Sequence, residues 1–242
     1  MVIYIGENNM KRLLLCVGLV GSVCYADRQQ EDFLQAQQLA QGGKYEEALV
    51  LYNTFLNPGF LVWYNKGVCL YHIGKYCDAL LAFKKAQRYA DKNTYKMVAA
   101  ALKDVAYKGN YETSFSWQDS IRVSTYYIPI FIAQLIFLLL LGVTVWMILF
   151  RPFSWKRIIL LSLMIINGIY LGVVWYVTNR VQGVITVGTS SYTGPGKEYQ
   201  AYKEFSVGTV VNVDKKEKNW YKVKTLNSSG WVEETSLSLI EE

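Results

Sequence analysis

The sequence has little of what enzymes commonly use for acid–base catalysis. His72 is the only histidine among the 242 residues. A serine or cysteine nucleophile needs a positioned base, and no nucleophile with a clear role accompanies His72, which we interpret as a helix-end or packing residue. The sequence also offers no metal-ligand cluster, phosphate-binding glycine loop or pair of facing carboxylates. We therefore expect a protein that is not an enzyme, with no catalytic residue, metal or cofactor.

Charge is also scarce. Charged residues make up 18 % of the chain and hydrophobic residues 52 %, whereas an average soluble domain is about a quarter charged and a disordered chain needs low hydrophobicity. The net charge of +6 is not gathered on one face, because most of it flanks apolar runs. Nucleic-acid binding requires clustered Lys and Arg on a folded surface, so we expect no nucleic-acid partner.

The chain has only four cysteines. Cys16 and Cys24 lie in the N-terminal apolar run, where lipid attachment at Cys24 is an alternative to signal cleavage. Cys69 and Cys77 remain for the mature chain. In an oxidising compartment they can form a disulfide, or they can act as small packing residues; we favour packing.

The N-terminal apolar run has the form of a secretory signal. A positive start at residues 10–12 precedes a short apolar core at 13–21, and small residues stand before a cleavage point after Ala26. The core is too short to span a bilayer comfortably. We expect residues 1–26 to be a signal peptide. An uncleaved anchor is the alternative, and either Met1 or Met10 can be the start.

Two long apolar runs predict a membrane hairpin. Residues 128–150 and 158–177 carry no charge, and each is longer than the roughly 18 residues that indicate a spanning helix. Aromatic residues stand near their ends, as at a bilayer interface. The remaining chain is too small to bury both runs as core helices. We therefore expect two transmembrane helices.

Two arguments give the same orientation for this hairpin. The loop at 151–157 holds three basic residues, and short basic loops stay in the cytoplasm. A signal sequence independently sends the residues after it across the membrane. Residues 27–127 and 178–242 are therefore expected outside the cytoplasm.

The predicted spans contain a few residues that favour helix contacts. Gly168 and Gly172 form a Gly-x-x-x-Gly pair that permits close approach. The amides of Gln134 and Asn167 would seek partners in hydrocarbon. We interpret these features as packing within the hairpin, with a homodimer contact as the alternative. The lack of ionisable residues in both spans argues against a transport path.

The segment between signal and hairpin contains a repeat. Gly-Lys-Tyr-x-x-Ala-Leu occurs at 43–49 and again at 74–80, and a weaker echo, Gly-Asn-Tyr-Glu, follows at 109–112. A period of this length is typical of solenoids. We expect paired helices over residues 27–116, and in each pair a glycine ends the first helix before the second begins. A final helix should cap the stack, and a linker should follow at 117–127.

These repeats resemble the tetratricopeptide repeat (TPR). The second unit has Trp63, Gly67 and Leu70 on its first helix, followed by the TPR-like Ala, Phe and Ala on its second. The first unit departs from the pattern, with Asp32, Gln35 and Ala36 where Trp, Leu and Gly are usual. The resemblance implies an all-α solenoid that holds a partner segment in a concave groove without catalysis. The TPR-like positions are Tyr45, Ala48, Tyr52, Trp63, Gly67, Leu70, Tyr76, Ala79, Phe83 and Ala86.

Residues 178–242 change to short β-rich runs separated by turns, and we expect about five strands in a small all-β barrel. Glycine-led and tryptophan-led motifs in a fixed order resemble the bacterial SH3 (SH3b) domain. The resemblance implies binding of a cell-wall peptide, with Tyr192, Tyr199 and Tyr202 as groove candidates or, alternatively, packing residues. The SH3b-like positions are Gly194, Pro195, Gly208, Trp220, Tyr221, Gly230 and Trp231.

The complete order of signal, TPR, membrane hairpin and SH3-like barrel is similar to BatE-type proteins of the bacterial aerotolerance (Bat) operon. The resemblance implies a multi-domain protein of the bacterial inner membrane with both globular regions on the periplasmic side. It also implies a scaffold that works beside von Willebrand factor A-domain Bat proteins in stress tolerance. The alternative is a wall anchor, in which the SH3b domain binds peptidoglycan peptide and the TPR recruits a wall enzyme.

Overall fold

The structure is a computed structural model that describes residues 29–111, 121, 130–150, 155–225 and 228–240. The predicted signal peptide lies outside these residues, as do most of the predicted linker and the first four residues of the predicted basic loop. The chain divides into two compact units, Met1–Tyr89 and Ala90–Glu242.

The first unit consists of two helical hairpins. Helix α1 covers residues 29–41 and is followed by α2 (Tyr45–Tyr52), α3 (Phe60–Ile73) and α4 (Tyr76–Tyr89). The predicted helical character of this region is confirmed. The 31-residue offset of the sequence recurs in the core, since the buried residues of one hairpin have buried equivalents in the other. These pairs are Ala36 and Gly67, Ala48 and Ala79, and Tyr52 and Phe83.

Three long helices are described in the part of the second unit that precedes the strands. They are α5 (Lys92–Gly109), α6 (Ile130–Phe150) and α7 (Trp155–Thr178). Both α6 and α7 contain a stretch that is long and apolar enough to cross a membrane, and most of their large apolar side chains are exposed. Helix α5 overlaps the predicted capping helix, and its role as a cap of the repeat stack stays a prediction.

The repeated glycines end helices as the sequence predicts. Gly43 and Gly74 take the left-handed conformation, with φ of +78° and +89°. In both cases the next N–H donates to the carbonyl five residues earlier, which is the hydrogen bond of a Schellman cap. In the third echo this place is taken by Asn110, at φ +53°. Gly109 belongs to α5, so the echo is shifted by one residue.

Seven strands follow α7: β1 (Val181–Ile185), β2 (Thr189–Tyr192), β3 (Ala201–Phe205), β4 (Val210–Glu217), β5 (Trp220–Lys224), β6 (Ser229–Glu233) and β7 (Leu237–Leu239). All pairings are antiparallel, in the order β3-β2-β6-β5-β4-β1-β7. The sequence predicted five strands in a closed barrel. Among the described strands, β3 and β7 form open edges, so the observed architecture is an SH3-like open sheet.

The β-rich runs of the sequence, at 184–187, 207–213, 220–225 and 230–233, do not include β2, β3 and β7, which are short or polar. Strand β2 reads Thr-Ser-Ser-Tyr and has one buried residue, β3 exposes four of its five residues, and β7 has three residues. Such segments lack the apolar alternation that predicts a strand. The core of the sheet lies on one face, where alternate residues are buried. Its members are Ile185, Phe205, Val211, Tyr221, Val223, Val232 and Leu237.

Helices α6 and α7 pack as an antiparallel hairpin. Their shared face buries Ala133 and Thr144 of α6 with two valines of α7. A Cβ added at Gly168 would lie 3.7 Å from the ring of Phe137, whereas one added at Gly172 would meet nothing within 4 Å. Only the first glycine of the Gly-x-x-x-Gly pair therefore faces the other helix of the hairpin.

Candidate functional site

The TPR-like positions of the first unit are mostly core residues. Seven of the ten are buried, and the three remaining side chains are half-buried: Tyr45, Trp63 and Tyr76. The tightest contact joins α3 to α4, where a Cβ added at Gly67 would lie 2.8 Å from the ring of Phe83. These residues fix the helical hairpins rather than forming a polar site.

His72 lies in a group of rings at the end of α3. Its exposed imidazole stacks on Tyr45, with ring centroids 4.5 Å apart and planes 5° apart. Tyr71 meets it edge-on at 5.6 Å and itself contacts Tyr76 at 5.7 Å. The contacts of His72 within this group are ring contacts with Tyr45 and Tyr71. This position in the last turn of α3 is the helix-end placement that the sequence analysis assigned to His72.

In the described part of the chain, Cys69 and Cys77 form no disulfide with each other. Cys69 is fully buried and packs with Ala36, Ala48 and Tyr52. Burial raises the pKa of its thiol to about 11, so it stays protonated at neutral pH and lacks the thiolate that reacts. The disulfide alternative is not formed, and Cys69 acts as a packing residue.

Three large aromatic side chains converge on the outer face of the sheet; we call Tyr192, Trp220 and Trp231 the outer-face cluster. The rings of Tyr192 and Trp220 are 5.4 Å apart and meet edge to face at 86°. Tyr192 pairs directly with Trp231 across β2 and β6. Strand alternation explains the placement, because Tyr221 and Val223 of β5 point into the core and Trp220 lies on the opposite face.

Charged side chains surround the outer-face cluster. The Lys215 ammonium lies 6.0 Å from the centroid of Trp231 and 3.0 Å from the Glu217 carboxylate. Lys197, from the loop between β2 and β3, pairs with Glu233 of β6 at 3.1 Å. The second pair holds this loop beside the cluster. Trp231 is buried, with 8 % of its surface exposed, whereas Tyr192 and Trp220 are half-buried. The arrangement therefore presents two half-buried rings beside charges of both signs, a combination that suits a peptide ligand.

The loop between β2 and β3 depends on the predicted Gly194. A Cβ there would lie 2.5 Å from the ring of Tyr199, so the ring of Tyr199 covers a position where only hydrogen fits. Tyr199 itself is 45 % exposed, and Tyr202 on the edge strand β3 is 63 % exposed. Of the three predicted groove tyrosines, the structure joins only Tyr192 to the tryptophans.

The remaining SH3b-like positions shape the sheet. Gly208 has φ +81° in the turn before β4, and a Cβ on it would lie 2.4 Å from the ring of Tyr111. A Cβ added at Gly230 would lie 2.7 Å from the Cβ of Ser191 on the neighbouring strand. Pro195 is half-buried in the loop after β2. These residues allow close backbone approach and position the cluster.

A second polar group lies at the end of β6. The Tyr221 hydroxyl donates to Glu234 Oε1 at 3.1 Å, and Lys216 donates to the same oxygen. The hydrogen bond from Lys216, supported by the one from Tyr221, lowers the pKa of the Glu234 carboxyl, and that bond in turn raises the pKa of Lys216. The group fastens the buried Tyr221 side chain to the residue that follows β6.

Sequence reasoning missed the junction of α7 with the sheet. Only Asn179 and Arg180 separate α7 from β1. The Arg180 guanidinium lies 4.3 Å from the centroid of Tyr176, donates to its hydroxyl and pairs with Asp214 of β4. In the sequence, Arg180 is a charged residue that follows an apolar run. No local spacing predicts its contact with Asp214, which is 34 positions away. The sheet is thereby fixed to the end of the helix.

The described part of the chain holds no group of three or more His, Cys, Asp or Glu side chains that could bind a metal ion. In the comparison with protein families, the model of the bacterial SH3 domain matches residues 190–238. The match runs from β2 into β7 and includes the whole outer-face cluster. No curated protein matches the chain.

Proposed function

We propose that the protein is a membrane-anchored scaffold that binds partners through its SH3-like sheet and its helical repeats, without catalysing a reaction. The observation that carries this proposal is the outer-face cluster inside the segment that matches the bacterial SH3 domain. Aromatic side chains supply large contact areas at binding sites. Domains of this kind bind proteins or peptidoglycan, and either ligand presents the peptide groups that such a surface contacts.

The anchor in this proposal is the hairpin of α6 and α7. Their exposed apolar side chains would be costly in water and are suited to lipid. In this proposal the sheet lies close to the membrane surface, because only two residues separate α7 from β1. In the proposed orientation both globular regions lie outside the cytoplasm in a bacterial inner membrane, with a TPR-type repeat region preceding the hairpin and a cleaved signal preceding that.

For the partner, we propose a Bat-type stress-tolerance complex with von Willebrand factor A-domain proteins. This assignment is supported by the order of segments in the sequence, as in BatE-type proteins. The second candidate is a wall anchor, in which the sheet binds peptidoglycan peptide and the helices recruit a wall enzyme. The bacterial SH3 match favours this candidate as much as the first, because domains of this kind have both types of ligand.

Cross-linking in cells followed by co-purification from membranes tests the scaffold proposal. A chain ending after Arg180 should insert normally but capture less partner, because two tethered contacts bind more firmly than one. A-domain proteins among the captured partners would support the first candidate, and wall fragments the second. Equal capture by the shortened and complete chains would contradict a binding role for the sheet.

The matched control for catalysis is His72→Ala, which removes the one histidine without touching the outer-face cluster. We expect insertion, partner capture and cellular activity to be nearly unchanged, because the imidazole contacts only neighbouring rings. A His72→Ala protein that inserts and captures partners normally, yet has no activity in cells, would contradict the non-enzymatic proposal.

A further inference from the structure

The second helical hairpin of the first unit carries a concentration of positive charge. Helices α3 and α4 with their connecting turn hold five basic residues against one acidic residue, Asp78. Residues 29–59, by contrast, hold one basic and four acidic residues. Both hairpins follow the same 31-residue offset, so the helical fold does not require this difference. The basic residues are Lys66, Lys75, Lys84, Lys85 and Arg88.

Two of these charges meet at one aromatic ring; we call Trp63, Lys66 and Lys85 the Trp63 site. The Nζ atom of Lys66 lies 5.1 Å from the centroid of the Trp63 ring, and Nζ of Lys85 lies 4.8 Å from it. Trp63 and Lys66 are one turn apart on α3, whereas Lys85 comes from α4. The site therefore bridges the two helices, and its three side chains are half-buried.

The electrostatics of the Trp63 site favour an anion. Burial lowers the pKa of Lys66, the charge of Lys85 lowers it further, and Asp78 opposes both effects. The ring offsets part of this cost, because an aromatic face attracts ammonium groups. A carboxylate placed between the two ammonium groups would accept charge-assisted hydrogen bonds and would reduce their mutual repulsion.

We propose that the Trp63 site binds an acidic segment of a partner protein, with a Glu or Asp carboxylate accepting from Lys66 and Lys85. The apolar part of the segment would lie on the Trp63 ring. This proposal deepens the scaffold function and rests on it, since it gives the partner chemistry of the helical region. A protein segment fits better than an anionic membrane, because two half-buried lysine side chains that lie over a ring are reached by one inserted side chain and not by a flat layer of headgroups.

The test is peptide binding by the complete protein in neutral detergent micelles. The probes are a fluorescent Glu-rich peptide, its Gln-containing counterpart, and vesicles of anionic lipid. We expect the Glu-rich peptide to bind the original protein, and Lys66→Gln with Lys85→Gln to weaken that binding by about tenfold or more. Lys66→Arg with Lys85→Arg should retain most of the affinity, because the charge is kept.

The matched control removes the same charge elsewhere. Lys96→Gln with Lys103→Gln changes two exposed lysines of α5 and should alter affinity by less than about twofold, as expected for exposed charges. Equal loss in the control, equal binding of the Gln counterpart, preference for vesicles, or no peptide binding by the original protein would each overturn the proposal. Partner capture through the sheet is measured separately with the chain ending after Arg180, so failure of the Trp63 site is distinguishable from failure of the scaffold proposal.

Discussion

The residue type that a buried position of this protein can hold depends on the atoms that lie against it. Gly67 and Ala36 occupy equivalent positions in the two helical hairpins, and both are buried. The sequence predicts the importance of Gly67 through the TPR resemblance, but it does not show the cause. The cause is the Phe83 ring, which occupies the space that a Cβ would need.

Gly67→Ala should therefore destabilise the first unit. The added methyl group would lie 2.8 Å from the Phe83 ring, and overpacking typically costs about 1–3 kcal/mol. Thermal unfolding followed by circular dichroism measures the loss. Gly42→Ala is the control, because its Cβ would make only ordinary contacts at 3.5 Å. An unchanged melting temperature for Gly67→Ala would contradict the described packing of α3 on α4.

The Glu234 carboxylate should make the sheet's stability depend on pH. Its pKa is lowered by the Lys216 hydrogen bond, so its contribution is present above its ordinary pKa of 4.5 and is lost as pH falls through the lowered value. The pKa of Lys216 is raised above its ordinary value of 10.5. The same interaction is therefore lost at alkaline pH only as the pH rises above that value.

Glu234→Gln should consequently be less stable than the original protein at neutral pH, with the difference shrinking as pH falls below about 4.5. Denaturant unfolding at a series of pH values measures this. Glu204→Gln, on the edge strand β3, is the control and should show no such convergence. A stability difference for Glu234→Gln that stays constant down to strongly acidic pH would refute the assigned hydrogen bond.

At the scale of elements, the sequence predicts what periodicity and composition encode. It predicts the helical region, the two apolar helices and the β-rich end, because each has a long pattern or a repeated motif. It misses β2, β3 and β7, whose short polar sequences become strands only by pairing with neighbours. It also misses the Arg180 junction and the meeting of Tyr192 with the two tryptophans, since these contacts join residues distant in the chain.

The Arg180 junction should couple the sheet to α7. We expect Arg180→Gln and Asp214→Asn each to lower stability, and the double variant to lose little more than either one, because both changes break the same contact. The two side chains are 27 % and 32 % exposed, so the coupling should be about 1 kcal/mol. Lys197→Gln, in the more exposed pair with Glu233, is the control. If the double variant loses the full sum of the two single losses in unfolding free energy, the contact between Arg180 and Asp214 is refuted.

As a whole molecule, the protein has two proposed binding regions attached to one apolar hairpin. The hairpin gives an even number of crossings, so the regions before and after it must share one side of a membrane if both helices span it. Alkaline phosphatase fused after Ile240 should therefore be active, whereas fusion within the 151–157 loop of a shortened chain should be inactive. The reverse pattern would contradict the proposed orientation.

Photo-cross-linking beside the outer-face cluster in living cells tests whether this cluster binds a partner. A photoreactive residue replaces Tyr199, which is exposed and lies in the loop beside the cluster. The account predicts a cross-linked protein or wall fragment that is kept with Trp220→Phe and lost with Trp220→Ala. The same probe at Lys224, about 13 Å along β5 from Trp220, should give much less product. A product at Tyr199 that is unchanged by Trp220→Ala in a normally folded protein, or no product at all, would contradict a binding role for the cluster.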